Sequence, residues 1–108
     1  MKQGDIILVN FNPTIGHEQG NYRPAIIIDR DEVPLPSNLH IVVPITSKHK
    51  GYPLELPLPD GMKTVGYALP FQLRVLDVAS RQAKLIEHAP QDFVEQCCNI
   101  AAQLIIAL

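Results

Sequence analysis

Leu39 to Ile45 reads LHIVVPI, and two runs of the same character precede it, Asp5 to Phe11 (DIILVNF) and Arg23 to Asp29 (RPAIIID). Each run is short, rich in Ile and Val and bounded by turn-formers, so each predicts a strand and not a helix. Between the first two lies Asn12 to Tyr22, polar and holding Gly16 and Gly20. It is longer than a tight hairpin needs, and loops of that kind often carry function. Asp31 to Asn38 (DEVPLPSN) is no regular element, because Pro34 and Pro36 break both ladders and helices. Further on, Tyr52 to Pro59 alternates loosely and runs into the turn Pro59-Asp60-Gly61. Gly66 to Asp77 offers an extended stretch interrupted at Pro70, and the length and position of Ala79 to Glu87 (ASRQAKLIE) favour a last strand. From Pro90 the period changes. Phe93, Cys97, Ile100, Ala101, Leu104, Ile105 and Leu108 fall on one helical stripe, with Pro90 suited to a first turn and Asp92 and Glu95 near the positive end of the dipole. Six or so short strands and one amphipathic helix predict a mainly β fold, a small barrel or rolled sheet plugged by a C-terminal helix. The expected organisation is one domain over 1–108, with no repeat, low-complexity tract or linker.

Composition agrees with that outline. The 108 residues are 46% apolar and 19% charged, which argues against disorder. By size scaling, about two-thirds of the unfolded surface can be buried, enough for a core without staples. Nine Lys/Arg against eleven Asp/Glu give a net charge of -2, which excludes a generally basic nucleic-acid coat and leaves room for a local positive site. No apolar run is long enough to span a bilayer, and Met1-Lys2-Gln3-Gly4-Asp5 has no signal-peptide pattern. A soluble, cytoplasmic protein with no membrane association is expected. The only cysteines, Cys97 and Cys98, are neighbours on the expected helix, where side chains point about 100° apart and a bridge would be strained. They read as buried small hydrophobes. The histidines (His17, His40, His49, His88) are scattered, so no metal site and no cofactor is expected.

Common catalytic signatures are absent: there is no GxGxxG, P-loop, GxSxG, CxxC pair or HExxH. Three polar groups stand out instead. Arg23 opens an otherwise apolar strand, where a guanidinium is costly to bury unless an anion or carboxylate meets it. It reads either as half of a structural ion pair with Glu18 or Asp77, or as a clamp on a phosphate, since its planar fork of donors suits a developing oxyanion. Thr46 and Ser47 follow the third run and read either as strand-end hydroxyls or as hydrogen-bond partners of a phosphoryl oxygen. His17-Glu18-Gln19 lies in the long loop, where His17 is a solvated histidine or a proton carrier near neutral pH. Lys48-His49-Lys50 is the only clustered positive patch; it is either a wet turn or, if the adjoining hydroxyls face an RNA, a means of neutralising phosphates.

Taken together, three blocks resemble the MazF/PemK (Kid-like) family of toxin endoribonucleases from type II toxin–antitoxin systems. The blocks are GDIILVNFNPTIGHEQGNYRPAIIID (Gly4 to Asp29), VPITSKHKGYPLELPL (Val43 to Leu58) and FQLRVLD (Phe71 to Asp77), so the similarity spans nearly the whole chain. The resemblance implies an SH3-like barrel, a homodimer, an antitoxin protein as partner, and metal-independent cleavage of single-stranded RNA at short sequences. It implies attack of the ribose 2'-hydroxyl on the adjacent phosphate, leaving a 2',3'-cyclic phosphate and a 5'-hydroxyl. By motif, Arg23 of RPA and Thr46 of VPITS are the main catalytic pair. Gln19, with His17 and Glu18, matches the segment framing the RNA channel, and Ser47, Lys48, Lys50 and Gln72 fall in blocks expected to touch RNA. A guanidinium with a pKa above about 12 is a poor base. Arg23 is therefore expected to hold the phosphorane's charge with Thr46, and the 2'-hydroxyl proton falls to Glu18, His17 or water. Phe71 stands where many members have an acidic residue, and Leu69 where some have a basic one; in those relatives the polar groups can contact RNA. A second function class stays open beside the nuclease, a non-catalytic barrel module acting by protein binding, as in related gyrase-poisoning toxins.

Overall fold

The three Ile/Val-rich runs lie side by side as antiparallel strands in a computed structural model that describes residues 1–13, 16 and 21–107. They are β1 (Asp5–Asn10), β2 (Tyr22–Ile27) and β3 (Leu39–Thr46). Four shorter strands follow, β4 (Leu56–Pro57), β5 (Tyr67–Ala68), β6 (Arg74–Asp77) and β7 (Lys84–His88), and then one helix, α1 (Gln91–Gln103). The strand order is β4-β5-β3-β2-β1-β7, with β6 also on β3.

Side chains alternate between the faces of a strand, and here both faces are covered. Ile6, Ile26, Val43 and Ile45 point to one side, where they pack with Phe93, Val94, Cys97 and Ala101 of α1. Ile7, Val9, Ala25, Ile27 and Val42 point to the other and form a second core with Phe11, Leu76 and Val78. Burial on both faces explains why the runs are continuously apolar instead of alternating.

β3 is the strand on which the sheet turns. Along one edge it pairs with β2 through Ala25↔Pro44, Ile26↔Val43 and Ile27↔Val42. On its other edge Leu39 to Val42 pair with β6, and Ile45 and Thr46 pair with β5. Between β5 and β6 the chain makes a short 3-10 turn, Pro70–Gln72, and Leu69 just before it donates its N–H to Pro44 O at 3.0 Å.

Three expectations shift. The last strand begins only at Lys84, because Val78 to Gln82 forms a turn with Gln82 at positive φ and Ala83 N–H returning to Val78 O. Tyr52 to Pro59 yields only the two residues of β4. The helical stripe holds at Phe93, Cys97 and Ala101, but α1 ends at Gln103, so the 3.6-residue period no longer governs Leu104 and Ile105, which are exposed; Leu108 lies outside the described residues. Cys97 is buried and Cys98 half-buried, both free, and burial pushes the Cys97 thiol up to about 12, with Cys98 adding to the shift. Among the described residues no helix is long and apolar enough to cross a membrane.

Candidate active site at the end of the central strand

Arg23 pairs with Val9 across β1 and β2, and Val9 belongs to the second core. Directly opposed residues of an antiparallel pair share a face, so Arg23 extends from that core's side of the sheet. The β2–β3 ladder ends at Ala25↔Pro44, two residues short of Arg23 on one strand and of Thr46 on the other, so both stand at the same end of the pair. The pair therefore sits on adjacent strands and on one face. Asp77 is no partner for Arg23: it pairs with Leu39, at the far end of β3, and seven residue steps of strand separate that point from Thr46, about 23 Å. Its carboxylate accepts the Ser80 N–H at 3.0 Å instead.

Thr46 is only 2% exposed, and its Oγ1 accepts the Lys48 N–H at 3.2 Å. That bond uses a lone pair and leaves the hydroxyl proton for donation. Gly66 fixes the position of this strand end. A Cβ on Gly66 would stand 2.2 Å from the Thr46 carbonyl oxygen, and its φ of +138° is one that side chains rarely adopt. Only glycine lets this backbone come so close. Ser47 is exposed and lines a cavity of about 380 Å³ with Asp60, Thr64, Gly66 and Tyr67.

The exposed Lys48 and Lys50 flank His49 on a loop that returns to β4. Glu55 gathers this loop. Its carboxylate accepts N–H groups from Lys50 at 3.3 Å and Tyr52 at 3.4 Å and faces His49 Nδ1. Burial alone raises the Glu55 carboxyl; the N–H groups of Lys50, Tyr52 and Gly51 and the charge of His49 outweigh it and hold the group below the ordinary glutamate range. The His49 ring lies 4.8 Å from the Tyr67 ring, and Tyr67 is the direct β5 partner of Thr46. Tyr52 meets Phe71 edge-on, with ring centroids 5.3 Å apart.

Two further arginines hold the neck of the β1–β2 loop. Arg74, opposite Val42 on the same face as Arg23, donates from Nη1 to Phe11 O at 2.8 Å. Arg81 Nη1 donates to Asn10 O at 3.0 Å and Asn12 O at 2.8 Å. Asn12 and Asn21 close the neck through a mutual pair of bonds at 2.9 and 3.1 Å. His17, Glu18 and Gln19 lie outside the described residues. Gln72 ends the 3-10 turn, half-buried. Leu69 is fully buried, a core residue with no surface for RNA. Among the described residues no three of His, Cys, Asp and Glu cluster as metal ligands do.

Reading the sequence brought out Arg23 and Thr46 but passed over Gly66, Glu55, Arg74 and Arg81. Chemically, a guanidinium and a hydroxyl donor at the same end of adjacent strands, with two exposed lysines close by in the chain, suit an anion whose charge grows on equatorial oxygens.

Comparison with known proteins points the same way. A family model described as PemK-like, MazF-like toxin of type II toxin-antitoxin system matches residues 2–105. The chain is 32% identical over 101 residues to Endoribonuclease PemK of Escherichia coli, covering 89% of this chain and 75% of that protein. Among solved structures, MazF from Deinococcus radiodurans superposes with a TM-score of 0.89 at 33% identity, covering 97% of this chain and 96% of that one. A chain from a MazE–MazF structure of the same organism gives 0.83 at 33% identity, covering 97% and 95%.

Proposed function

Because this chain belongs to the PemK/MazF family of type II toxins, we propose that it is a sequence-specific endoribonuclease that cuts single-stranded RNA without a metal. The 2'-hydroxyl attacks the neighbouring phosphorus, giving a 2',3'-cyclic phosphate and a 5'-hydroxyl. Arg23 holds the charge of the five-coordinate phosphorane and Thr46 donates to one of its oxygens. Ser47, Lys48, Lys50 and Gln72, with Gln19 of the long loop, contact the strand, and His17 and Glu18 frame the channel. Holding the internal nucleophile in line contributes several kcal/mol of rate enhancement by orientation alone. The observation that carries this reading is the register of β2 on β3, which supports a fork at position 23 and a hydroxyl at position 46 converging on one phosphate.

A domain over 1–108 that works in the cytoplasm as a homodimer, neutralised by an antitoxin, completes the proposal. The likeness to MazF in a MazE–MazF structure supports the antitoxin. The test is to incubate the purified protein with mixed RNA in EDTA and map the ends. Cuts bearing cyclic phosphate and 5'-hydroxyl ends are expected, with Arg23→Ala lowering the rate by about 10²-fold or more, the scale of losing one oxyanion donor. Intact RNA overturns the enzyme; a need for Mg²⁺ overturns the mechanism and leaves a nuclease.

A further inference from the structure

The pairing of His49 with Glu55 is the one histidine–carboxylate contact, among the described residues, on the loop that leaves Thr46. The Glu55 side chain is 2% exposed and the His49 side chain 64% exposed. A buried carboxylate held by backbone N–H groups, with an exposed imidazole on it, orients that imidazole more firmly than a solvated turn would. The carboxylate only accepts, so the nitrogen facing it, Nδ1, carries a proton, and in the neutral ring the free lone pair is on Nε2. Tyr67 fixes the direction of the ring. Its side chain shares the face of Thr46, its ladder partner, and therefore the face of Arg23, and the His49 ring lies against it at a tilt of 42°. The ring thus stands on the side of the sheet where the phosphate would be held.

We infer that His49, in place of the Glu18, His17 or water expected from the sequence, is the general base of the cleavage, with Glu55 as its positioning residue, an inference that rests on the nuclease reading above. The 2'-hydroxyl proton passes to His49 Nε2 as the O2'–P bond forms. The P–O5' bond breaks, its electron pair leaves on O5', and O5' takes a proton from water. The imidazolium then returns its proton to the solvent, so the step is balanced with water as the only co-reactant. Glu55 and Tyr67 are the titratable groups against the ring, and Lys48 and Lys50 are its charged neighbours in the chain.

The test is single-turnover cleavage of an oligoribonucleotide carrying a cut site mapped in mixed RNA, followed across pH 5 to 9. The wild-type rate is expected to rise with pH along a limb that depends on His49, the mark of a general base. His49→Ala and His49→Gln are expected to be about 10²- to 10⁴-fold slower, to bind RNA as before and to lose that limb. Imidazole added to His49→Ala restores part of the rate. Glu55→Gln moves the limb to lower pH, since the imidazolium loses its countercharge; an unmoved limb removes Glu55 from the step. Wild-type speed in both His49 variants overturns the base, and so does a slower rate with the limb intact and no response to imidazole. In either case the nuclease survives. Wild-type protein that leaves RNA whole fails at the earlier stage, taking the nuclease and its base together.

Discussion

Gly66 shows how a residue with no side chain shapes the site. Any Cβ there meets the backbone of Thr46 and Ser47, which has no rotamer with which to yield. Gly66→Ala is therefore expected to destabilise the fold by about 1–3 kcal/mol through backbone strain and to displace Thr46. Denaturant melting and the cleavage assay together check this: activity lost beyond what the unfolded fraction explains is the expected signature, and a fully active, equally stable variant contradicts the contact. Arg23 and Thr46 were legible in the chain because each breaks its local pattern, a charge opening an apolar strand and a hydroxyl closing one. His49 was not. Its meaning depends on Glu55, six residues on, which reads as one more polar position in a loosely alternating stretch until the loop closes.

Among the elements, the segment between β4 and β5 is clipped to β7 by one carboxylate. Glu87 accepts the N–H of Lys63 at 3.1 Å and both the N–H and hydroxyl of Thr64 at 2.7 Å. Burial raises its carboxyl, but the Thr64 hydroxyl, the two N–H groups and the Lys63 charge outweigh that and hold it below its ordinary value of 4.5. A depressed folded-state pKa means that the stabilisation is whole above the unfolded value and fades as pH falls through the folded one. Melting temperature is expected to drop on acidification below about pH 4.5, and less steeply in Glu87→Gln; parallel curves for the two proteins contradict the clip. The long strands and the helix could be read from Ile/Val content and the 3.6-residue period. The two-residue strands β4 and β5 could not, because they are set by the neighbours they pair with and carry too few residues to show a period.

For the whole molecule, two cores on opposite faces of one sheet account for most of the apolar composition, and what remains outside is informative. Leu104, Ile105 and Ile106 are 46%, 83% and 59% exposed just beyond α1. Three neighbouring apolar side chains in water favour a covered surface, in keeping with the proposed homodimer. Sedimentation at micromolar concentration is expected to give twice the chain mass, and Ile105→Asp to shift it toward one; a wild-type monomer contradicts the assembly. A rolled, barrel-like sheet was foreseeable from strand count and length, but the division of β3 between β5 and β6 was not, since nothing local says where one partner stops and the next begins. The loop after β3 has a further consequence. Much of its hold on Glu55 comes from main-chain N–H groups, which every residue except proline supplies alike. Mutation can therefore exchange the outward side chains of Lys48 and Lys50 at little cost to folding, and under the nuclease proposed above this would let descendants of the scaffold drift toward new RNA targets without disturbing the loop that carries them.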